Sequence, residues 1–472
     1  MAGGLILFAI MVLSDPPGDL STEGWYTAAA AVLMAIWWIF EVIPIPVTAL
    51  IPLALFPLLG ISDIAMTAAP YANPLIFLFM GGFIIAIAMQ EWGLHRRIAY
   101  NIISLIGSNP RSIILGFMVS AAFMSMWVSN TAATMMMLPI ALSVIEITKN
   151  SRDISDVKNH YGNFAIALML AVAYAANIGG LGTIIGTPTN ALLVGFVNEA
   201  YDIEISFLQW MVIGVPLVII GLPVIFLSLV NISFPVRFKS LPGGKEYIDR
   251  EVDKLGRISR PELMVAFVFA LVAMLWITRP LLGLYLPGIS DAGIAIFGSI
   301  LLFVCPVNVR TGRFLLSWKS ASMLPWGVLL LFGGGLTLAA AIQRTGLAGW
   351  IGEHLAIMGV LPLGFVILVV AGVVIFLTEL TSNTATAAAF LPVMGTLAIG
   401  LDQDPLLFTI PAALAASCAF MLPVATPPNA IVYGSGVMDI SHMLRAGLLL
   451  NLFFILLITI FARYFVPIVL VV

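Results

Sequence analysis

Long apolar stretches separated by short polar ones form the main pattern of this chain. A helix of about 20 apolar residues crosses a hydrocarbon core of about 30 Å. Several candidate spans are short or interrupted by Gly and Pro, and they lie at residues 25–43, 75–89, 207–230, 263–277, 292–304, 324–341, 361–377, 406–422 and 443–468. The pattern predicts an all-α, polytopic membrane protein.

The composition indicates the same class, because 61% of the residues are hydrophobic and 9% are charged, whereas a soluble domain carries about 25% charged residues. Residues 1–24 are interpreted as a partial first transmembrane helix and a loop. A cleaved signal peptide is the alternative, but the segment lacks a basic flank and a clear cleavage site. The net charge of −3 argues against a nucleic-acid partner. Cys305 and Cys418 lie in apolar surroundings in different halves, so we expect buried, unreactive thiols.

An internal repeat is the most informative feature of the sequence. Ser129-Asn130-Thr131 and Ser382-Asn383-Thr384 lie 253 positions apart, and the same offset relates Gln90 to Gln343 and Ser125 to Thr378. A second motif pairs residues 186–191 with residues 425–430 at an offset of 239. The difference between the two offsets is explained if the polar residues 150–160 are extra in the first copy. Duplication within a membrane protein is typical of secondary transporters.

The placement of positive charge predicts the orientation of the repeats. The positive-inside rule assigns most basic residues to cytoplasmic loops: Arg96, Arg97, Arg111, Lys149, Arg152, Lys158, Arg237, Lys239, Lys245, Arg250, Lys254, Arg257, Arg260, Arg310, Arg313, Lys319 and Arg445. Arg279, Arg344 and Arg463 then face outward. This threading requires residues 109–147 to enter and leave on the cytoplasmic side as a re-entrant hairpin, and residues 360–400 to enter from the outside. The two copies are therefore expected to be inverted.

The expected domain organisation follows from this threading. The first repeat covers residues 25–232 and the second covers residues 261–472, with a cytoplasmic linker at 233–260. Within the first repeat we expect an interfacial helix at 95–107, the hairpin at 109–147 and a broken helix at 161–200. The second repeat is expected to contain an interfacial helix at 345–358, the hairpin at 360–400, a broken helix at 404–440 and a last helix at 443–468.

The breaks at residues 177–188 and 422–428 are rich in Gly and Pro, so a helix must unwind there and expose carbonyl oxygens. These carbonyls, with the side-chain oxygens of Ser125 and Asn130 in one copy and of Thr378 and Asn383 in the other, are hard neutral ligands that suit Na⁺. Ser125 and Ser129 are four residues apart, so we expect them on one helix face.

The helix that begins beyond each tip directs free amide hydrogens and the positive end of its dipole towards the same place, which favours an anion. Neither tip and neither break contains Lys, Arg or His, and the nearest acid is Glu379. A bound dianion would therefore be balanced by amides, hydroxyls and co-bound cations. For Glu41, Glu146 and Glu379, structural hydrogen bonding and proton carriage both remain open.

The paired Ser-Asn-Thr tips, the two Thr-Pro breaks and Ile43-Pro44-Ile45-Pro46 resemble the divalent anion/sodium symporter family over nearly the whole chain. This resemblance implies a homodimer in which a fixed scaffold holds the dimer contact. A transport domain with both hairpins and both broken helices would move like an elevator. The implied substrates are C4-dicarboxylates such as succinate, malate and fumarate, or a tricarboxylate such as citrate. The expected location is the plasma (inner) membrane of a bacterium.

The resemblance also implies roles for individual residues. The first sodium site would comprise Ser125, Ser129, Asn130 and Gly186, and the second Thr378, Thr381, Asn383 and Ala425, where Gly186, Thr381 and Ala425 act through their carbonyls. Substrate would contact Asn130, Thr131, Thr187, Asn383, Thr384 and Thr426, with Pro188 and Pro427 shaping the floor. Thr189 departs from the pattern, because the second copy has Pro428 there.

Sodium-coupled import is the preferred function, with at least two Na⁺ because two repeat-related cation sites are expected. A sodium-independent exchanger or a proton-coupled carrier of the same fold is the alternative, as is a transporter of sulfate or citrate. A channel would require a continuous pore. An enzyme is disfavoured, because no acid, base, thiol or metal ligands converge on the tips.

Overall fold

A computed structural model describes residues 2–107, 109–150, 155–237, 244–355 and 361–470. Its α-helices are α1 (Ala2–Leu13), α2 (Thr22–Ile39), α3 (Ile45–Thr48), α4 (Ile51–Leu58), α5 (Ile64–Ala68), α6 (Pro74–Glu91), α7 (Leu94–Ile106), α8 (Pro110–Ser125), α9 (Asn130–Asn150), α10 (Ser155–Gly179), α11 (Pro188–Tyr201), α12 (Phe207–Leu227), α13 (Gly244–Leu255), α14 (Arg260–Leu282), α15 (Asp291–Val304), α16 (Trp318–Ala321), α17 (Trp326–Arg344), α18 (Leu347–Leu355), α19 (Leu363–Thr378), α20 (Asn383–Gly400), α21 (Leu406–Ala416), α22 (Pro427–Tyr433), α23 (Ile440–Ile460) and α24 (Val466–Leu470).

Short segments of other types complete the fold. The 3₁₀ turns are Ala69–Ala72, Gly180–Gly182 and Pro423–Ala425, and π-helical turns cover Ser228–Ser233 and Phe461–Phe465. Strands β1 (Pro306–Asn308) and β2 (Arg313–Phe314) form a small antiparallel ribbon. Because the π-helical turn at Phe461–Phe465 joins α23 to α24, the last predicted span is nearly continuous helix.

The prediction of an all-α, polytopic membrane protein is confirmed. The described residues contain eight helices that are long and apolar enough to cross a membrane. The most apolar window of the span Tyr161–Gly182 is 100% buried, whereas that of Arg260–Leu282 is 22% buried. The span Tyr161–Gly182, which contains most of α10 and the 3₁₀ turn after it, therefore lies at the centre of the bundle. Helix α14 lies at the lipid-facing edge of the bundle.

Two helical hairpins, α8 with α9 and α19 with α20, carry the Ser-Asn-Thr motifs at their turns. Hairpin α8–α9 packs against α10, and hairpin α19–α20 packs against α21. The prediction that Ser125 and Ser129 share a helix face is wrong. Helix α8 ends at Ser125, and the chain turns before Ser129, whose hydroxyl accepts a hydrogen bond from the Ala132 amide at 3.3 Å near the start of α9. Ser129 thus acts as a helix cap.

Both predicted interruptions are present. Helix α10 passes through a 3₁₀ turn at Gly180–Gly182 before α11 begins at Pro188. The second interruption starts earlier than predicted, because α21 ends at Ala416 and the expected helix over residues 406–422 stops there. Helix α22 ends at Tyr433 rather than at residue 440, since Gly434 and Gly436 follow and Gly436 has a φ of +72°.

A buried carboxylate explains the early end of α21. Glu379, 3% exposed, accepts hydrogen bonds at Oε1 from the amides of Phe420 (2.7 Å) and Met421 (2.9 Å), and at Oε2 from the amide of Leu422 (3.0 Å). Asn451 of α23 donates to Oε1 at 2.8 Å. Three amides that would continue a helix are thus bonded to one side chain. Four donors around one buried carboxyl group favour a structural, hydrogen-bonding role for Glu379.

One asparagine braces each interruption from the helix that follows it. The Asn190 amide group donates to the carbonyls of Gly180 (3.0 Å) and Thr183 (2.7 Å). Asn429, at the offset of 239, donates to the carbonyls of Ala419 (3.2 Å) and Leu422 (3.1 Å), the equivalent positions. Both side chains are fully buried. The two loops are therefore held open by the same contact in each copy.

The remaining segments differ from the predicted boundaries in detail. Helix α9 extends to Asn150, and α10 begins at Ser155 rather than at residue 161. The linker at 233–260 contains α13, which packs against α7 with Ile248 buried. Helix α18 is described to Leu355, so the end of the interfacial helix expected at 345–358 lies outside the described residues, as do the basic residues Arg152 and Lys239.

Replacement of Glu379 by Gln tests the brace. The amide group of Gln cannot accept bonds at both of its terminal atoms, so at least one buried N–H loses its partner. We expect a loss of about 2 kcal/mol in stability, measured as a lower Tm of the purified protein in detergent. Glu353→Gln, at an exposed position of α18, is the control. An equal Tm for the two variants would contradict the role of Glu379.

Candidate substrate and cation site

A cavity of about 830 Å³ lies where the two hairpin turns meet the two interrupted helices. The turns contribute Ser129, Asn130, Thr131, Ser382, Asn383 and Thr384, and the interruptions contribute Gly186, Thr187, Pro188, Ala425, Thr426 and Pro427. The opposite wall comes from α6 and the start of α17, and it includes Phe83, Ala86, Ile87, Pro325 and Val328. Four segments that are distant in sequence thus form the polar side of one cavity, which faces a largely apolar wall.

All eight residues predicted to contact substrate line this cavity: Asn130, Thr131, Thr187, Pro188, Asn383, Thr384, Thr426 and Pro427. Of the predicted sodium ligands, Ser129, Asn130, Gly186, Asn383 and Ala425 also line it. Ser125, Thr378 and Thr381 are not among the lining residues and are buried. The structure therefore places the substrate-type residues at the cavity surface and several cation-type residues behind it.

Behind the first turn, the Ser125 hydroxyl donates to Oδ1 of Asn130 at 2.5 Å. The loop that carries Gly180 and Gly186 packs directly on this pair. A Cβ atom placed on Gly180 would lie 2.5 Å from Asn130 Oδ1 and 3.1 Å from the Gly186 carbonyl oxygen. Glycine is required here because any side chain would fill the space between these oxygens. The result is a compact group of neutral oxygens, the ligand type that a hard monovalent cation prefers.

The second turn repeats this arrangement. The Thr378 hydroxyl lies 2.7 Å from Asn383 Oδ1 and 2.9 Å from the Ala416 carbonyl. The Thr381 hydroxyl donates to the Leu377 carbonyl at 3.0 Å and lies 2.6 Å from the Thr386 hydroxyl. Since the Thr381 side chain is engaged elsewhere, its backbone carbonyl is the group left for the cation role that the family resemblance implies. A hydroxyl–asparagine pair thus stands behind each Ser-Asn-Thr turn.

The cavity is also suited to an anion. Helices α9, α11 and α20 begin at its edge, so the positive ends of their dipoles point towards it. No side chain caps α20 at Ser382 or α11 at Thr187, and amide hydrogens at these two helix starts remain available. Glu41, which is exposed, is the one charged residue among the residues that line the cavity. Negative charge on a ligand would therefore meet neutral donors and no basic side chain of the lining.

Sequence reasoning missed several residues that hold this site. Asn190 and Asn429 recur at matching positions of the second motif, so the sequence contained a signal for them, but no role was predicted for either residue. Asn177 has no such signal, because Ala416 occupies the equivalent position at the offset of 239. Cys418 is buried as expected, but Cys305 is partly exposed at the end of α15, where the chain leaves the helix for β1.

Among the described residues, no group of three His, Cys, Asp or Glu side chains is placed to hold a metal ion. The clusters behind the two turns consist of hydroxyl, amide and carbonyl oxygens.

Comparison with known proteins agrees with these features. Residues 3–472 match the family model of the sodium:sulfate symporter transmembrane region. The sodium-dependent dicarboxylate transporter SdcS of Staphylococcus saprophyticus is 44% identical over 469 residues, which cover 98% of this chain and 90% of the relative. The protein of the same name from Staphylococcus aureus is 45% identical over 472 residues, which cover 99% and 91%.

Two solved structures share the fold at low sequence identity. The YdaH transporter of Alcanivorax borkumensis superposes with a TM-score of 0.62 at 14% identity, covering 92% of this chain and 98% of that one. MtrF of Neisseria gonorrhoeae superposes with a TM-score of 0.58 at 11% identity, covering 85% and 84%. The chain, an integral multi-pass membrane protein, belongs to the sodium:sulfate symporter family, the divalent anion/sodium symporters that its paired motifs resemble.

Proposed function

We propose that this protein is a sodium-dependent transporter of dicarboxylates in the bacterial plasma membrane. The observation that carries the proposal is the pair of hydroxyl–asparagine clusters, Ser125 with Asn130 and Thr378 with Asn383, behind one cavity of neutral donors. The name shared by the two staphylococcal relatives supports the same ion and substrate class.

Charge balance links the ion to the substrate. A dianion without a basic residue nearby needs compensating charge, because transferring a charge from water to a poorly hydrated site is costly. Cations held behind Asn130 and Asn383 would supply that charge within one side chain of the substrate. Binding of sodium and binding of the dicarboxylate should therefore be mutually dependent.

The number of clusters sets the expected stoichiometry. Two repeat-related clusters predict at least two Na⁺ per substrate, which neutralise a dianion. Each uncompensated charge that crosses 100 mV corresponds to about 2.3 kcal/mol. Two sodium ions thus remove the electrical cost of importing a dianion into a negative cell.

The proposed substrates are C4-dicarboxylates such as succinate, malate and fumarate. A cavity of about 830 Å³ is within the range of small-molecule sites. Asn130 and Thr131 on one turn, and Asn383 and Thr384 on the other, offer donors to two separate carboxylates. Citrate and sulfate carry groups that the same donors would accept, so they are the comparison substrates.

An elevator movement accounts for the division of the cavity wall. All of the proposed ligand contacts come from the hairpins and interrupted helices, while α6 and α17 contribute mainly apolar side chains. Because an apolar wall makes few hydrogen bonds to ligand, the hairpins and interrupted helices can slide past it with the ligand bound and without breaking such bonds. Gln90, Met323 and Pro325 line the cavity and are close in sequence to the basic residues Arg96 and Lys319. The positive-inside rule therefore favours an opening of the cavity towards the cytoplasm.

Polar contacts join the start of α12 to α14 and α15 at a second, smaller cavity. Arg279 of α14 pairs with Glu204, which precedes α12, and with Asp291 of α15. Asp291 also accepts a hydrogen bond from the Phe207 amide, the first of α12, at 2.9 Å. If α12 moves with the hairpins past α14 and α15, these contacts must break in every transport cycle.

The substrate assignment is tested by uptake of radiolabelled succinate into proteoliposomes. With an inward Na⁺ gradient we expect saturable uptake in the wild type and loss of at least ninety per cent in Asn130→Ala and Asn383→Ala, because each removes an amide shared by cation and substrate. The control is Asn101→Ala, at an exposed position of α7. Equal uptake with Na⁺ or K⁺ would contradict sodium dependence. Uptake of citrate or sulfate without uptake of succinate would show that the substrate is not a C4-dicarboxylate.

The cation clusters are tested separately from substrate binding. Ser125→Ala and Thr378→Val remove a hydroxyl behind the cavity, so we expect about a tenfold higher Na⁺ concentration for half-maximal uptake and a lower Hill coefficient. Thr378→Ser keeps the hydroxyl and should behave nearly as wild type. Unchanged Na⁺ dependence in both hydroxyl-deleted variants would place the cations elsewhere.

The sliding movement is tested by a crosslink. With Cys305 and Cys418 replaced by Ala, we introduce Glu204→Cys and Arg279→Cys and treat the protein with a short bifunctional methanethiosulfonate. Because this crosslink would hold the start of α12 against α14, we expect succinate uptake to stop and a reducing agent to restore it. Each single-cysteine variant should remain active after the same treatment. Full activity of the crosslinked protein would exclude relative movement at this contact.

A further inference from the structure

Asn177 connects the two copies of the repeat at the edge of the cavity. It lies in the last turn of α10, lines the cavity and is 1% exposed. Its side-chain Nδ2 lies 3.1 Å from Thr426 Oγ1 and 3.3 Å from Asn429 Oδ1. Both partners belong to the second copy, so one residue of the first copy contacts the motif that begins α22.

The orientation of the Asn177 amide is determined by its neighbours. Asn429 Nδ2 donates to the carbonyls of Ala419 and Leu422, so Asn429 Oδ1 must face Asn177. If the Asn177 amide were turned over, its own oxygen would face the Asn429 oxygen without a hydrogen between them. Nδ2 of Asn177 is therefore the atom directed at Asn429 and Thr426.

This orientation decides what the Thr426 hydroxyl can do. Its oxygen accepts a hydrogen bond from Asn177 Nδ2 and another from the Asn429 amide at 3.2 Å. A hydroxyl oxygen has two acceptor positions and one hydrogen. Because both acceptor positions are occupied, Thr426 can interact with a further group only by donating. Among the described residues no acceptor takes that hydrogen, and Thr426 lines the cavity.

The equivalent threonine of the first copy is not held in this way. The Thr187 hydroxyl lies 3.4 Å from that of Thr189, which in turn lies 2.5 Å from the Ser417 hydroxyl. The position equivalent to Asn177 is Ala416, which has no amide to donate. Thr187 can therefore donate or accept, whereas Thr426 is fixed as a donor.

The other half of the Asn177 amide, its Oδ1, is buried and has no hydrogen-bond partner among the described residues, as is also true of Oδ1 of Asn190 and of Asn451. The donation from Nδ2 to Thr426 and Asn429 is therefore the polar contribution of this side chain.

We propose that Asn177 is a positioning residue that fixes the Thr426 hydroxyl as a hydrogen-bond donor to one carboxylate of the substrate. The inference rests on the proposed function and adds that the two ends of the site differ. An ionised carboxylate only accepts hydrogen bonds, so the end at Thr426 is arranged for it before the substrate binds. The end at Thr187 is adaptable and tolerates a wider choice of substrate group.

A double-mutant cycle tests this inference through the KM for succinate at saturating Na⁺. We expect Asn177→Ala to raise the KM about tenfold with little change in maximal rate, and Thr426→Val to raise it at least as much. Because Asn177 acts through the Thr426 hydroxyl, the double variant should match Thr426→Val alone. In a Thr426→Ser background, which keeps the hydroxyl, Asn177→Ala should again raise the KM about tenfold.

Three outcomes overturn the inference. They are an unchanged KM in Asn177→Ala, a KM increase in the double variant that equals the product of the two single increases, and an unchanged KM when Asn177→Ala is added to the Thr426→Ser background. Asn177→Ser is measured in parallel in case the alanine variant does not fold, and Tm values identify any unfolded protein. If wild-type proteoliposomes take up no succinate, the proposed function fails instead. If the wild type transports and Asn177 is without effect, the proposed function stands and this inference alone fails.

Discussion

Backbone that leaves the helix inside an apolar bundle must find hydrogen-bond partners within the protein, and the rest of this structure depends on how that requirement is met. Glu379 binds three consecutive amides of the second interruption, and Asn190 and Asn429 each donate to backbone carbonyls of the interruption that precedes them. These contacts do not use the carbonyls of Gly186 and Ala425. Both residues line the cavity.

The two copies meet the same requirement by partly different means. Both use an asparagine brace, but the position equivalent to Glu379 at the offset of 253 is Met126, and the position equivalent to Asn177 is Ala416. The first interruption is the shorter one. Its Thr183 hydroxyl donates a hydrogen bond to the Met126 carbonyl in the turn between α8 and α9. Duplication therefore supplies two similar hydroxyl–asparagine clusters, while the unmatched residues make the two sides of the cavity unequal.

Sequence patterns predicted the features that are encoded locally. Apolar runs predicted the helices, and the repeated Ser-Asn-Thr and Thr-Pro motifs predicted which segments line one cavity. Contacts made across the fold escaped prediction. Proline at 423 marked where a helix cannot continue, but α21 stops at Ala416 because Glu379, distant in sequence, captures the amides beyond it. Spacing placed Ser125 and Ser129 on one helix, yet the hairpin turns between them. Asn177 gave no signal because the repeat does not contain it twice.

The central claim is that a cavity without basic residues binds a dianion only together with cations held behind it. Calorimetric titration of the purified protein with succinate, at a series of Na⁺ concentrations and at constant ionic strength with K⁺, tests it most directly. The account predicts no measurable binding in K⁺ and an affinity that rises with at least the second power of the Na⁺ concentration. Equal affinity for succinate in K⁺ and in Na⁺ would contradict it.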